Sequence, residues 1–250
     1  MRIQQTTGAL LLMLGLFVGC HRPYQFTGQH YKRLTIDEKA ATDSGTAALL
    51  RPYKQKMDQS MNEVLTVTPA PLDKKKPEGG FTDMLTDMLL ERAQQKYNKP
   101  IDVSHLNFSG VRSGLPKGNI TVGNVYEVMP FDNLLVVVTV KGSMLMQFLD
   151  HFAQHDDALV VGGIRVTMKD KTVQSVTFNN GRTFDPNQTY TIAMSDYVAN
   201  GGSDASFLSN AVARDNVNYL IRDAFIEAIR QQGKSGQPLN PQPDGRITIQ

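Results

Sequence analysis

The sequence predicts an α+β domain in which a mixed β-sheet is layered with helices. Apolar residues recur at three- and four-residue steps in several stretches, which is typical of amphipathic helices. Other stretches are short runs rich in β-branched residues, which are typical of strands. Because the two kinds of stretch do not alternate strictly along the chain, we expect an α+β layer fold on a mixed sheet.

The N-terminus carries the features of a bacterial lipoprotein signal. An apolar stretch from Gly8 to Gly19 is too short for a bilayer core of about 30 Å but suits a secretory signal. It ends at Cys20, the single cysteine of the chain, which has no partner for an internal disulfide. We therefore predict a signal peptide over residues 1–19, lipidation of Cys20 and a tether over residues 20–44. The box FVGC lacks the usual leucine at its first position, so a secreted chain with a free thiol is the alternative.

Composition and length indicate which kind of partner the chain binds and how many domains it has. The chain has 26 Lys and Arg against 24 Asp and Glu, and its predicted signal contains one basic residue and no acid. A net charge so close to zero argues against a nucleic-acid polymer as partner. The apolar fraction of 40% and the length predict one globular domain, residues 45–250. The protein is expected to be exported and lipid-anchored to the bacterial membrane, at the periplasmic face or the cell surface.

The first elements follow the tether. Apolar residues from Leu49 to Leu65 predict a long amphipathic helix whose apolar stripe must pack on another surface. The Pro- and Gly-rich segment after it carries Lys74 to Lys76, interpreted as a solvated loop, with an anion-binding lip as the alternative. A second helix is predicted from Phe81 to Tyr97. Asp87 falls on or near its apolar face, where the carboxylate either satisfies backbone amides or is exposed at the border.

The second half begins with a strand from Leu134 to Val140 that is predicted to be buried on both faces. On the helix that follows, Ser143 to Gln154, His151 shares a face with His155, as zinc ligands can. No glutamate follows the first histidine as in HExxH, so a metal site is not favoured. The remaining predicted elements are strands Ile164–Met168, Val173–Phe178 and Tyr190–Ser195, a helix Asn216–Gln231 and a closing strand Arg246–Ile249.

The segment from Asn107 to Asn133, NFSGVRSGLPKGNITVGNVYEVMPFDN, is the first candidate for ligand binding. Arg112 lies on a glycine-bounded turn and offers a planar fork of donors for phosphate or carboxylate. Phe131 follows a proline and offers a face on which a base can stack, worth about 1–3 kcal/mol. The structural alternatives are an ordinary turn arginine and a core phenylalanine.

The segment YTIAMSDYVANGGSD, Tyr190 to Asp204, is the second candidate. A strand leads into Tyr197, and two glycines then permit a tight turn that can bring the backbone close to a ligand. A carboxylate at such a turn can accept hydrogen bonds from a ribose diol. Phe131 and Tyr197 would sandwich a base if the fold brings them together.

Together with three further segments, these stretches resemble the C-terminal, substrate-binding domain of the 5′-nucleotidase/UDP-sugar hydrolase family. ALLRPYKQKMDQSMNEVL is similar to the family's interdomain helix, and PEGGFTDMLTDMLL to its E-x-x-L-G-N-L-x-x-D-A segment. The first candidate segment is similar to N-G-G-G-I-R…G-x-I-T…P-F-x-N. The second matches the strand, aromatic residue and G-G-D turn, and PDGRITI matches the closing G-R-I. The resemblance covers about Ala48 to the end in the same order and implies the fold of that domain.

The resemblance implies roles for four residues at a nucleotide site. Arg112 is expected to contact the nucleotide or its leaving-group side. Phe131 and Tyr197 are expected to sandwich the base, and Asn133 to hydrogen-bond the base edge.

Three further positions are implied less directly. A glycine at or next to Gly163 would allow close approach to the ring. The acid of the G-G-D turn would bind the ribose hydroxyls, but Ser203 occupies that place here and Asp204 comes one residue later. Lys76 fits one of the basic positions that the family places before its E-x-x-L-G-N-L segment.

The resemblance also implies what this chain lacks. Family members hydrolyse phosphate esters at a two-metal site in an N-terminal metallophosphatase domain, which needs clustered Asp, His and Asn ligands. The sequence has neither D-x-H nor G-N-H-[ED]. We therefore expect no catalytic residue and no cofactor in this chain, and two divalent metals in a separate phosphatase chain. The alternatives are a stand-alone nucleoside- or nucleotide-binding lipoprotein without turnover and a degenerate scaffold with a dead pocket.

Overall fold

The computed structural model describes residues 31–34, 37, 40–156 and 158–250. The predicted signal peptide, the lipidation of Cys20 and most of the predicted tether lie outside the described residues. The chain divides into two units, Met1–Ala48 and Leu49–Gln250, and every described strand belongs to the second. None of the described helices has the length and apolar character needed to cross a membrane.

Helices and strands are mixed along the described chain. The helices are α1 (Ser44–Met61), α2 (Gly80–Tyr97), α3 (Val122–Val128), α4 (Gly142–His155), α5 (Asp196–Ala199) and α6 (Ile221–Lys234). The strands are β1 (Val64–Thr68), β2 (Val103–His105), β3 (Gly118–Thr121), β4 (Leu134–Lys141), β5 (Val161–Gly162), β6 (Ile164–Lys169), β7 (Thr172–Phe178), β8 (Thr189–Ser195), β9 (Ala213–Leu220) and β10 (Ile247–Ile249).

The strands form three sheets, and the largest has the order β5-β2-β8-β4-β9. In this sheet β2 is parallel to β8 and the other pairs are antiparallel. A smaller sheet has the order β10-β6-β7, with β10 parallel to β6, and β1 pairs with β3. The predicted α+β class with mixed sheets is therefore confirmed.

The central strand β4 is buried on both faces, as the sequence predicts. Leu135 and Val137 pack into one hydrophobic cluster together with residues of α2, α3 and α6. Val136, Val138 and Val140 pack into a second cluster together with residues of α4 and the smaller sheet. Because side chains alternate along a strand, one run of valines and leucines supplies both clusters. The five-stranded sheet thus lies between two layers.

Helix α1 ends earlier than predicted, and its apolar stripe is exposed. It ends at Met61, and the residues from Val64 onward form a strand instead, which suits their content of valine and threonine. The described part of the chain does not cover its apolar stripe, because no residue of α1 is buried. Leu49, Tyr53 and Met57 are all more than half exposed.

The last predicted helix also begins later than expected. Residues 216–220 belong to β9, and α6 starts at Ile221. β9 pairs antiparallel with β4. The backbone N–H and C=O groups of residues 216–220 therefore find hydrogen-bond partners on β4 and do not need those of a helix. The closing strand β10 lies where it was expected.

Strand β2 contains a fully buried histidine. The Nδ1 atom of His105 lies 3.1 Å from the carbonyl oxygen of Val160, and Nε2 has no partner among the described residues. The ring centroids of Phe148 and Phe152 lie 4.9 and 4.1 Å from that of the imidazole. Burial lowers the pKa of His105 from 6.5 to about 3. The folded protein therefore holds this ring neutral where an unfolded chain would charge it.

We expect this histidine to make stability fall on acidification. Below the ordinary pKa of 6.5, the unfolded chain gains a proton that folded His105 does not accept until the pH nears 3. The contribution of the neutral ring to the free energy of unfolding is complete above pH 6.5. Below that pH it decreases by at most about 1.4 kcal/mol per pH unit. Urea unfolding of the wild type and of His105→Gln at several pH values will measure this. The difference in free energy of unfolding between the wild type and His105→Gln should decrease as the pH falls.

The matched control is His155→Gln, which changes an exposed histidine. His105 is intact in this variant, so the loss of stability on acidification that we attribute to His105 should remain. An advantage of His105 over glutamine that stays constant between neutral and acidic pH would contradict the expectation.

Candidate functional site

A cavity of about 260 Å³ opens at one edge of the five-stranded sheet. We call it the aromatic cavity; it is lined by Asn107, Ser109, Gly110, Arg112, Phe131, Asn133 and Tyr197. Four of the residues singled out in the sequence, Arg112, Phe131, Asn133 and Tyr197, are therefore brought together.

Strand directions explain this convergence. β2 and β8 are parallel, so their carboxyl ends, which lead towards Asn107 and Tyr197, meet at the same edge. β4 runs antiparallel to β8, so its first residues, just after Asn133, lie at that edge as well. Three segments distant in sequence are thus joined by the register of three adjacent strands.

The two aromatic rings are available to a ligand. Phe131 is 42% exposed and Tyr197 is 50% exposed, although both line the same cavity. Large aromatic side chains are normally buried to a greater extent, so two half-exposed rings in one concave site are the arrangement of a binding surface. The interpretation of Phe131 as an ordinary core residue does not fit this exposure.

The segment that carries Phe131 is held by a buried arginine of α6. Arg222 donates from Nη1 to the carbonyl oxygen of Phe131 at 3.1 Å and from Nη2 to Oδ1 of Asp132 at 2.6 Å. Its guanidinium carbon lies 4.0 Å from the ring centroid of Tyr126. No sequence pattern indicated this role, because arginine is normally a surface residue and its partners here are distant in the chain.

The segment that carries Tyr197 is fixed by its neighbours. The tyrosine hydroxyl accepts a hydrogen bond from the backbone N–H of Ser203 at 3.2 Å. Ser203 and Asp204 both have positive φ, 54° and 59°, which is uncommon for residues other than glycine. Nε2 of His151 lies 2.7 Å from the carbonyl oxygen of Ser203 and supports this turn. His151 therefore contacts the same turn residue that hydrogen-bonds to the tyrosine hydroxyl.

One carboxylate connects the Phe131 and Tyr197 segments. Oδ1 of Asp196 accepts from the backbone N–H of Leu134 at 3.1 Å and from that of Tyr197 at 2.9 Å. The chain that follows Phe131 and the chain that carries Tyr197 are thus bonded to the same oxygen atom. This contact relates the positions of the two segments directly.

The loop around Arg112 carries positive charge. The Arg112 backbone N–H donates to Val128 at 2.8 Å, and Nη1 donates to the carbonyl of Ser109 at 3.3 Å. Its side chain is exposed, and among the described residues it forms no ion pair. Nearby, the Nζ atom of Lys74 donates to the carbonyls of Phe108 and Val111 at 3.0 and 2.6 Å. Burial, followed by the charge of Arg112, lowers the pKa of Lys74. The loop therefore favours an anionic group.

Asn107, Ser109 and Gly110 line the cavity but were not identified individually from the sequence. Asn107 is buried, and its Nδ2 donates to Oγ of Ser109 at 3.1 Å. A Cβ atom at Gly110 would lie 2.6 Å from Oδ1 of Asn107, so a larger residue here would displace the Asn107 amide. The signal was the N-F-S-G sequence itself, which combines typical turn residues.

Three predicted positions are not among the residues that line the cavity. Gly163 has φ of 86°, and a Cβ atom there would lie 2.4 Å from the carbonyl oxygen of Asp102. Asp204 is exposed, with Oδ2 at 3.8 Å from Nδ1 of His155. Lys76 lies with Nζ 5.0 Å from the ring centroid of Phe108.

Gly202 gives a direct test of how Tyr197 is positioned. A Cβ atom at Gly202 would lie 2.5 Å from Cζ of the tyrosine ring and 2.6 Å from the carbonyl oxygen of Tyr197, so both the ring and the turn must shift. We expect Gly202→Ala to displace the ring and to weaken ligand binding by about tenfold, a loss of about 1.4 kcal/mol, while the domain stays folded. Calorimetric titration with a nucleotide, with circular dichroism as the check of folding, will measure this.

Gly45→Ala is the control, since it makes the same chemical change at an exposed position outside the cavity lining. It should bind as the wild type does. Equal affinity of Gly202→Ala and the wild type would mean that the ring position is unimportant.

Comparison with known proteins gives a consistent pattern. A family model described as "5'-nucleotidase, C-terminal domain" matches residues 61–210. The chain is 25% identical over 233 residues to the trifunctional nucleotide phosphoesterase protein YfkN of Bacillus subtilis, covering 86% of this chain and 16% of that protein. It is 26% identical over 225 residues to protein UshA of Yersinia enterocolitica, covering 86% of this chain and 40% of that protein.

Solved structures show the same fold. The crystal structure of a 5'-nucleotidase precursor from Thermus thermophilus matches with a TM-score of 0.70 at 24% identity, covering 82% of this chain and 43% of that chain. Haemophilus influenzae NAD nucleotidase matches with a TM-score of 0.64 at 20% identity, covering 83% of this chain and 41% of that chain. The chain thus spans less than half the length of each of these relatives.

Proposed function

Because the chain belongs to the family of 5′-nucleotidase C-terminal domains, we propose that it is the nucleotide-binding half of a split 5′-nucleotidase-type hydrolase. A separate metallophosphatase chain supplies the two divalent metals and the catalytic residues, and the pair acts in nucleotide catabolism. This chain contributes substrate binding and no catalytic group.

The observation that carries the binding role is the pair of half-exposed rings in one cavity beside an exposed arginine. In the proposed complex the base lies between Phe131 and Tyr197, because an aromatic face on each side excludes water from both faces of a base. Asn133 hydrogen-bonds the base edge, since its amide both donates and accepts. Arg112 binds phosphate through its fork of donors. Gly163, Lys76 and Asp204 lie outside the cavity lining, and we assign them no contact.

One exposed surface supports a partner chain. In the part of the chain that the structure describes, helix α1 presents an uncovered apolar stripe, with Leu49 68%, Tyr53 72% and Met57 56% exposed. An exposed apolar patch of this kind commonly marks the surface on which another protein binds. We further propose that the protein is exported and anchored to the membrane through a lipid on Cys20.

The test has two parts. The purified full chain is titrated with adenosine, AMP and UDP-glucose by calorimetry, and it is then mixed with the cognate phosphatase chain in a nucleotide hydrolysis assay. We expect AMP to bind more tightly than adenosine, because only AMP engages Arg112 by charge, and hydrolysis to exceed that of the phosphatase alone. Failure of both the ligand binding and the stimulation would refute the proposal.

The second candidate is a stand-alone nucleoside- or nucleotide-binding lipoprotein without turnover. It is favoured by one observation: Arg112, Phe131, Asn133 and Tyr197 already line one cavity within this single chain. Micromolar binding that is unchanged by any phosphatase chain, with no complex between the two, would select this candidate over the split enzyme.

A further inference from the structure

A carboxylate cluster lies on the chain segments that lead into α2 and β10. Glu78, Asp83 and Asp244 each place a carboxylate oxygen within 4.8 Å of the others. In the part of the chain that the structure describes, no other set of three His, Cys, Asp or Glu side chains comes this close. None of the three residues lines the aromatic cavity.

The cluster carries more negative charge than its neighbouring arginines neutralise. Arg246 donates to both carboxylate oxygens of Asp87 at 2.8 and 2.7 Å and to those of Asp244 at 3.0 and 3.1 Å. It is only 3.8 Å from Asp83 at the nearest ion-pair atoms, beyond hydrogen-bonding distance.

Arg165 adds a second positive charge, with Nη2 at 3.5 Å from Asp244. The two arginines therefore face four carboxylates when all are ionised: Glu78, Asp83, Asp87 and Asp244. Glu78 is also stabilised by backbone N–H groups, which donate from Gly245 at 2.9 Å and from Ile247 at 3.2 Å. The formal excess is two negative charges, which is the charge that one divalent cation neutralises.

Asp83 supplies a buried oxygen to which no N–H or O–H group donates. The residue is 4% exposed, and Oδ2 has no hydrogen-bond partner among the described residues. A buried carboxylate oxygen without a partner is costly, so it requires a proton or a cation.

The cluster borders a polar cleft. Asp83 and Asp244 line a cleft of about 540 Å³, together with Gln232, Asn240 and Gln242. This space admits an ion with part of its hydration shell. Polar side chains and water on the cleft side can complete the coordination that three carboxylates begin.

We propose that Glu78, Asp83 and Asp244 bind one Ca²⁺ ion. Ca²⁺ prefers six to eight oxygen ligands at about 2.3–2.6 Å, so two oxygens on opposite sides of the ion lie at most about 5 Å apart, as in this cluster. Mg²⁺ requires ligands at about 2.0–2.1 Å in a strict octahedron, which this irregular set matches less well. The bound ion ties the segment before β10 to the start of α2 and stabilises the fold.

The test uses the full chain, stripped with EDTA and dialysed into chelator-treated buffer near neutral pH. Titration with CaCl₂ is followed by calorimetry, and the unfolding temperature is measured with and without CaCl₂. We expect one Ca²⁺ per chain with a dissociation constant of about 0.1–1 mM, the range of weak structural modules, and a rise in unfolding temperature at saturation.

Two variants make the test specific. Asp83→Asn keeps the shape of the side chain and should weaken Ca²⁺ binding by at least about tenfold, or about 1.4 kcal/mol. Without Ca²⁺ this variant should unfold at the same temperature as the wild type or higher, because it removes uncompensated charge. Glu91→Gln removes the same charge from an exposed residue on the same cleft and should bind Ca²⁺ as the wild type does.

Three results would overturn the proposal. They are no Ca²⁺ binding to the wild type, equal binding to Asp83→Asn and the wild type, and equal weakening in the two variants. Nucleotide titration of Asp83→Asn separates this site from the aromatic cavity, because nucleotide binding should be unchanged whether or not Ca²⁺ binds.

Discussion

Replacing Arg246 with alanine should lower the free energy of unfolding by about 3 kcal/mol, because a buried guanidinium with several charge-assisted hydrogen bonds is lost. Arg246 is 5% exposed, and its guanidinium bonds side chains on α2 and the segment before β10. It also donates to the carbonyl oxygen of Val161 at 3.1 Å in β5. One side chain thus connects three parts of the fold, and alanine would leave buried acceptors and carboxylates without their cation.

Urea unfolding in EDTA near neutral pH will measure this loss. Arg165→Ala is the control, since its side chain is 51% exposed and pairs with the same Asp244. Exposed pairs contribute at most about 1 kcal/mol, so the control should change stability little. Arg246→Lys should give an intermediate loss, because lysine keeps the charge but not the planar fork. Similar losses in the two alanine variants would contradict the role of burial.

Replacing either ring of the aromatic cavity should reduce nucleotide binding strongly. Phe131→Ala and Tyr197→Ala should each cost about 1–3 kcal/mol, which corresponds to about 5- to 150-fold in the dissociation constant. The loss is attributed to stacking, because both rings are already half-exposed without ligand and neither contributes much to the core. The variants should therefore unfold at nearly the wild-type temperature.

Calorimetric titration with AMP will test both variants and the double variant. If one base contacts both rings, the two losses should not be independent, and a double-mutant cycle will show a coupling energy. Tyr53→Ala is the control, since Tyr53 is 72% exposed and lies outside the cavity lining. Phe131→Tyr keeps an aromatic face and should restore most of the affinity. Loss of affinity in the control, or none in the ring variants, would exclude stacking as the source of binding.

The sequence was sufficient to name the main residues of the cavity but not to show that they meet. Arg112, Phe131 and Tyr197 stand out because of the turns and strands next to them. Their convergence depends on the parallel pairing of β2 with β8, which joins residues about 90 positions apart, such as Val103 and Ile192. β2 has only three residues, too few for a periodic pattern to indicate a strand.

The start of the last helix was predicted too early because a strand directly precedes it. In β9 the side chains of Val217 and Tyr219 are more buried than those of Asn216 and Asn218, which is the period of a strand. The strongly amphipathic sequence of α6 follows immediately, and the two patterns merge when apolar spacing alone is considered. The buried arginines were missed for another reason, because their burial depends on carboxylates and carbonyls that only the fold brings near them.

The shared hydrogen bonds of Asp196 have a consequence for binding kinetics. Because one carboxylate oxygen holds both Leu134 and Tyr197, the segments bearing the two rings should keep their separation before and after a ligand enters. Little loop-ordering entropy is then lost on binding. We expect association in a single step without a slow closing phase, and affinity differences among nucleotides that arise mainly from their dissociation rates. A biphasic time course in stopped-flow mixing would contradict such a preorganised site.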